Sequence, residues 1–252
     1  MSEAKYYEKI SEVLASIHAT QKPHIEKAGE AAARAISSNQ RVYLFGSGHS
    51  VIPVMDIFPR YGSFLGFFPL YDPRLMWTNV VGPGGARELL WLETREGYIE
   101  IFLQSYPFEA GDVMVVFSHG GLNAAPIEAA IYAKDKGLTV ITVSSLANAE
   151  VSKAKHSTGK KLPDVADIAI DNCVEPEDAQ VDIGQPEKIA AGSTIAAVFI
   201  AMALVAETGT RLLAKGCTPQ TFVSPNVAGV ENNHNQKIFQ TFTKALLSPR
   251  GQ

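Results

Sequence analysis

The sequence predicts an α/β protein, a three-layer α-β-α sandwich around a parallel sheet. Three observations carry this. Short, continuous apolar runs recur along the chain, several end in a Gly- or Ser-rich turn, and the segments between them have the length and periodicity of helices. Strands that alternate with helices imply βαβ units and a parallel sheet.

The elements follow in order. Ile10, Val13, Leu14 and Ile17 stand at helical spacing, and an Ala-rich helical stretch restarts after Pro23. This predicts an N-terminal helical hairpin. "RVYLFG" (41–46) is a buried strand, "PVMDIFPRYG" (53–62) a short helix stopped near Pro59, and "SFLGFFPL" (63–70) a second strand. Residues 71–86 lack periodicity and are read as a loop. Residues 87–106 are expected to form one long amphipathic helix. Strands are predicted at 111–118, 138–145 and 166–173, with a helix at 123–137 that carries Pro126 in its first turn, where the lost N–H matters least. A long apolar helix is predicted over 187–216 and a final one from His234. Glu187 then sits at a helix N-terminus, where the dipole favours it.

Composition excludes several classes. The chain has 252 residues, 46% hydrophobic and 19% charged, with a net charge of −4. That is ordinary globular composition. No Lys/Arg field stands out, so nucleic acid is not an expected partner. Cys173 and Cys217 form no CxxC pair, which signals neither a zinc site nor a redox pair. The opening "MSEAKYYEKI" lacks the apolar core of a signal peptide, and "IAAVFIAMALVA" (195–206) is too short to span a bilayer. A cytoplasmic protein with no membrane partner is expected.

In a parallel sheet, ligands bind outside the carboxyl ends of the strands. The loops there are "GSGHS" (46–50), "SHGGLN" (118–123) and "SSLAN" (144–148). All are rich in Ser, Gly or Asn. Such loops at helix N-termini offer free N–H groups and hydroxyls to a phosphate, and Gly lets the backbone approach it closely. "GSGHS" is not the GxGxxG of a nicotinamide fold, and no Gly-Lys-Ser/Thr marks a P-loop.

Taken in order, "VYLFGSGHS", "GDVMVVFSHGGLNAAPIEAAIYAKDKGLTVITVSS" and "KIAAGSTIAAVFIAMAL" resemble the sugar isomerase (SIS) domain. With "KHSTGKKLPDVADIAIDN" (155–172), "STIAA" (193–197) and "SPNVAGVENNHN" (224–235), the likeness is to small single-domain bacterial SIS proteins and covers nearly the whole chain. It implies one domain over 1–252, with a helical arm (1–38) and an α/β core (39–252) holding a flavodoxin-like five-stranded parallel sheet. It also implies a homo-oligomer, dimer or tetramer, whose sites borrow residues across the subunit interface. The implied ligand is a sugar phosphate, contacted by Gly46, Ser47, Gly48, His49, Ser50, Ser118, His119, Gly120, Gly121, Asn123, Ser144, Ser193 and Thr194. The family's second loop runs Ser-x-Ser-Gly-x-Thr. Here Ser118 and Gly121 match while Gly120 and Asn123 depart, so one hydroxyl is missing unless Ser144 or Ser145 supplies it.

Aldose–ketose isomerisation needs a base that moves a proton between adjacent carbons through an enediol(ate), and an acid/base group for ring opening. SIS isomerases resemble this scheme with a Glu and a His. Glu93 lies at the edge of an apolar stripe, where burial raises a carboxyl pKa, and "LETREGY" matches the family's Glu before Gly-Tyr. Glu96 is the alternative, and a solvated glutamate paired with Arg87 or Arg95 is the bland reading. His234, on a Gly-led Asn-rich loop, is the candidate ring-opening or subunit-borrowed residue, against a solvated helix cap. His156 precedes a candidate lid, "STGKKLP", and His18 and His24 are surface residues of the arm. No HxH or HxxxH occurs, and Asp178 and Asp182 read as a solvated loop, so neither a metal nor a cofactor is expected. Phe67, Phe68, Tyr71 and Trp77 are candidates for the mouth of the pocket, and are read in preference as core or dimer-interface aromatics. The functions that remain are a phosphosugar isomerase, a non-catalytic phosphosugar-binding or sensing protein, and a lyase or etherase acting on N-acetylmuramic acid 6-phosphate.

Overall fold

The computed structural model describes residues 2–247. Its elements run α1 (Ser2–Ser37), β1 (Val42–Gly46), a 3-10 turn (Gly48–Ser50), α2 (Val51–Ile57), β2 (Phe67–Pro69), α3 (Ala86–Leu92), α4 (Tyr98–Leu103), β3 (Val113–Phe117) and α5 (Ala124–Asp135). They continue with β4 (Thr139–Ser144), α6 (Leu146–Val151), α7 (Leu162–Val165), β5 (Ile168–Asp171), β6 (Ala179–Val181), β7 (Ile189–Ala191), α8 (Ser193–Ala214) and α9 (His234–Leu247). Strands β2-β1-β3-β4-β5 form one five-stranded sheet, parallel throughout.

The strands are apolar at nearly every position because both faces of the sheet are covered. Val42, Leu44, Val113, Val115, Phe117, Ile141, Val143, Ile168 and Ile170 face a core shared with α1, α2 and α8. Tyr43, Phe45, Met114, Val116 and Val140 face the opposite core, with Ile99, Leu103, Ile127 and Ala130 from α4 and α5. This period-two split makes three layers. The register pairs Gly46 with Phe117, Phe117 with Val143, and Ser144 with Asp171. The loops that follow β1, β3, β4 and β5 therefore emerge along one edge.

The expected helical hairpin is instead one continuous helix, α1, that passes through Pro23. Its buried stripe of Ile10, Val13, Ile17, Gln21, Ile25 and Ala28 runs across the proline without a break. Proline removes the bond to the carbonyl of Ala19, but Ala19 and Pro23 are both exposed, so water takes that carbonyl. The packing of α1 on α8 is close: a Cβ on Gly29 would stand 2.7 Å from Glu207 Cβ.

Three further expectations are corrected. The helix predicted over 87–106 is two short ones, interrupted at Gly97 with φ 85°. The helix predicted from 187 starts at Ser193, because 189–191 pairs antiparallel with 179–181. Glu187 is therefore not a helix N-terminal charge. Asp178 takes the capping role, accepting the N–H groups of Gly192 and Ser193 at 3.0 and 2.7 Å. The second strand is shorter than 63–70, and Gly66, with φ 125°, turns the chain against Ile36 just before it. One helix, α8, is long and apolar enough to cross a membrane, and its buried face belongs to the core with α1 and the sheet.

Candidate functional site

The loop after β1 is shaped by backbone proximity. A Cβ on Gly46 would fall onto the carbonyl of Ser50, so only glycine lets the chain fold back into the 3-10 turn. Gly48, with φ 59°, donates its N–H to Leu75 O at 2.8 Å, and Ser50 N–H donates to Ser47 O at 3.1 Å. His49 stands edge-on to Trp77 with ring centroids 4.6 Å apart. This contact ties the otherwise irregular segment 71–86 to the loop.

Ser47 is buried, and its hydroxyl donates to Glu93 Oε2 at 2.8 Å. Glu93 stands at the C-terminal cap of α3. Its carbonyl accepts the N–H of Ala125 at 3.0 Å, in the first turn of α5. One residue thus joins the first loop to the helix that the second loop opens. Burial pushes the Glu93 carboxyl up from 4.5, and the Ser47 hydrogen bond offsets part of that rise.

The second loop is closed from both sides. Gly121, with φ 61°, donates its N–H to Ser118 Oγ at 3.2 Å and accepts the N–H of Leu162 at 2.9 Å. Gly120 O accepts Asn148 Nδ2 at 2.7 Å. Asn123 occupies the N-cap of α5 in an extended conformation but makes no side-chain cap bond. The two serines after β4 have different roles. Ser145 Oγ donates to Val174 O at 2.6 Å and caps Asn148 N–H at 3.0 Å. Ser144 Oγ is buried and meets no partner among the described residues.

His49, Ser50, Ser118, His119, Asn172, Ser193 and Thr194 line one cleft at this edge. Ser193 Oγ is engaged by Asp178 Oδ2 at 2.9 Å, while Thr194 has no such tie. The Glu93 carboxylate is not among the lining groups and reaches the first loop through Ser47.

His234 is not brought to this cluster within one chain. Its Nε2 bonds to Thr221 O at 2.9 Å. Thr221 in turn bridges Phe64, just before β2, which is the amino end of the sheet. Glu96 is also absent from the cleft lining. It accepts Ser157 N–H at 2.7 Å and the Ser157 hydroxyl, which holds its carboxyl below the usual range. His156 is buried, with Nε2 3.6 Å from Glu128 and 3.9 Å from Glu96. The Ser157–Glu96 hydrogen bonds fasten the 155–161 loop to the turn that follows Glu93, and His156 Nε2 itself has no hydrogen-bond partner among the described residues. His18 and His24 are exposed on α1. Phe67 and Phe68 are core residues, and the Tyr71 hydroxyl donates to Phe58 O at 3.1 Å. Asn172, Trp77 and Glu128 were not singled out as site residues in the sequence. Asn172 carries the one available signal, a polar residue directly after a strand. Among the described residues no group of three or more His, Cys, Asp or Glu side chains is placed to hold a metal ion.

Comparison with known proteins agrees with this fold. The chain is 33% identical over 245 residues to a UPF0309 protein of Caldanaerobacter subterraneus subsp. tengcongensis, covering 96% of this chain and 97% of that one. It is 35% identical over 226 residues to a UPF0309 protein of Shouchella clausii, covering 89% and 90%. In fold it is similar to the phosphoheptose isomerase of Neisseria gonorrhoeae, with a TM-score of 0.55 at 14% identity over 81% of this chain and 96% of that one. The phosphoheptose isomerase of Francisella tularensis gives 0.54 at 16% over 81% and 95%. Residues 5–145, more than half of the sequence, match the SIS domain, and the chain belongs to that family.

Proposed function

We propose that the protein binds a sugar phosphate at the carboxyl edge of its sheet and isomerises it between aldose and ketose, with Glu93 as the base. The observation that carries this reading is the half-buried Glu93 carboxylate, pushed up in pKa by that burial and hydrogen-bonded to Ser47 of the first loop. A base is most effective with a pKa close to the working pH. In this scheme the phosphate lies on the Ser118–Asn123 loop and the hydroxyls of Ser50, Ser144 and Thr194, while the Ser47 hydroxyl holds the Glu93 carboxylate. The Glu93 carboxylate takes the proton from C2 of the open-chain aldose. The electron pair left behind forms the enediolate, and the proton returns at C1 to give the ketose.

His234 does not enter this scheme from within one chain. The polar N–H and hydroxyl groups of the loops are the remaining means of stabilising the enediolate. We further propose a homo-oligomer that acts in the cytoplasm, with the exposed parts of α1 and α8 as its contact faces.

The test is a panel of pentose, hexose, hexosamine and heptose phosphates, the last being the class named for the two structural neighbours. Each is screened for protection against thermal unfolding and then for product by NMR. Protection with turnover by one member is the expected result. Protection without turnover supports the second reading, a binding or sensing protein, which the separation of His234 from Glu93 favours. Neither effect with any member overturns the phosphosugar assignment.

A further inference from the structure

Resting on the reading that the cleft takes a sugar phosphate, we propose that Asn172 is a positioning residue. It locks His119 in the tautomer that carries its proton on Nε2, so that the ring meets the ligand as a hydrogen-bond donor. The argument starts from a main-chain group. Val174 N–H approaches Asn172 Oδ1 at 3.0 Å. A backbone N–H can only donate, so the amide oxygen is fixed on that side. The amide NH₂ is therefore turned the other way, and there it stands 3.1 Å from His119 Nδ1. An NH₂ group offers protons and accepts none, so Nδ1 must be bare. A neutral imidazole has one N–H, which leaves it on Nε2.

The surroundings hold both partners in place. Asn172 is 1% exposed, and its own N–H donates to Ser144 O at 2.9 Å. The His119 carbonyl accepts Ser145 N–H at 2.9 Å. His119 Nε2 is buried and has no hydrogen-bond partner among the described residues. Ser144 Oγ, at the end of the neighbouring strand, is orphaned in the same way. A buried donor without an acceptor is costly to leave, and here two polar atoms stand unpaired at the edge where the ligand loops converge. The Nε2–H suits an acceptor oxygen, whether of a phosphate or of a carbonyl that becomes an enediolate. It does not suit a ligand hydroxyl that donates.

The experiment reads the ring nitrogens directly by long-range proton–nitrogen NMR on the ¹⁵N-labelled full chain, with His119 assigned by the signals lost in His119→Gln. The expected spectrum has a protonated Nε2 and a bare Nδ1. A protonated Nδ1 overturns the proposal, and this step needs no ligand. Asn172→Asp keeps an acceptor for Val174 N–H but turns an oxygen toward Nδ1. It is expected to move the proton to Nδ1, keep the melting temperature near that of the wild type, and weaken binding of inorganic phosphate or fructose 6-phosphate by tenfold or more. A reversed tautomer with unchanged affinity removes the ligand from the proposal. If neither these probes nor any sugar phosphate of the panel binds the wild type, the phosphosugar reading and the ligand half of this proposal fail together, and the ring nitrogens still decide the tautomer lock.

Discussion

Two histidines near opposite ends of the sheet use their ring nitrogens in opposite ways. At the amino end, His234 is satisfied by Thr221 O. Asn235 accepts Val223 N–H at 3.0 Å and donates to Val223 O at 2.8 Å, so it closes both halves of its amide on one backbone unit. At the carboxyl end, His119 Nε2 and Ser144 Oγ are buried without partners, and the Asn123 amide makes no cap bond. Buried polar groups are normally paired. A histidine whose nitrogen is spent on a backbone carbonyl holds the fold. One whose nitrogen is left over, beside glycine turns and free hydroxyls, is available to a ligand. By this comparison His234 is tied to the scaffold within one chain, while His119 keeps one ring nitrogen without a partner among the described residues, although both are polar residues on Gly-containing loops.

Substitutions at the two ends sharpen the contrast. The largest effect is expected at the carboxyl end: Glu93→Gln lowers turnover by about 10²–10⁴-fold, the usual contribution of a positioned base, while ligand protection in a thermal melt survives. Gly46→Ala comes next. Its methyl group meets the Ser50 carbonyl, and overpacking of this kind costs about 1–3 kcal/mol, read as a lower melting temperature together with loss of ligand protection. Ser118→Ala removes a hydroxyl from the proposed phosphate, worth about 1.5–3 kcal/mol of affinity for a bond to a charged group; isothermal titration with the bound sugar phosphate measures it. Asn235→Ala breaks the pattern in the other direction. It strands Val223 and lowers stability by about 1–3 kcal/mol, with affinity and turnover per folded molecule unchanged.

The smallest effect is one of pH. The folded state raises the Glu93 carboxyl above 4.5, so it prefers the protonated form. The cost of the buried charge is absent below 4.5 and is imposed as pH rises through the folded-state pKa. Glu93→Gln should therefore gain stability relative to the wild type on going from acid to neutral pH, by denaturant unfolding at each pH. A gain in the opposite direction would mean that the folded site stabilises the carboxylate.

The sheet was legible in the sequence because its strands are apolar on both faces and β1, β3 and β4 run into loops of small or polar residues. The helices were less so. Pro23 reads as a breaker, yet the stripe from Ile10 to Ala28 continues through it, and only the α8 surface shows that continuity to be decisive. Gly97 splits a segment whose apolar spacing suggests one helix. The short hairpin of β6 and β7 lies in a stretch rich in Pro, Gly and charge that carries no strand signal. At the site, the Gly/Ser loops and Glu93 were readable from composition and resemblance. The pairing of His119 with Asn172 was not, because 53 residues separate them and only the register of β3, β4 and β5 brings them together.

The central claim is that Glu93 is a base acting on a bound sugar phosphate. Solvent exchange at C2 tests it most directly: the wild type and Glu93→Gln are incubated in D₂O with the sugar phosphate that protects both from unfolding, and the C2 proton signal is followed by NMR. The account predicts deuterium wash-in with the wild type and none with Glu93→Gln at equal occupancy. Equal exchange in the two proteins would assign the proton transfer to another group and contradict it.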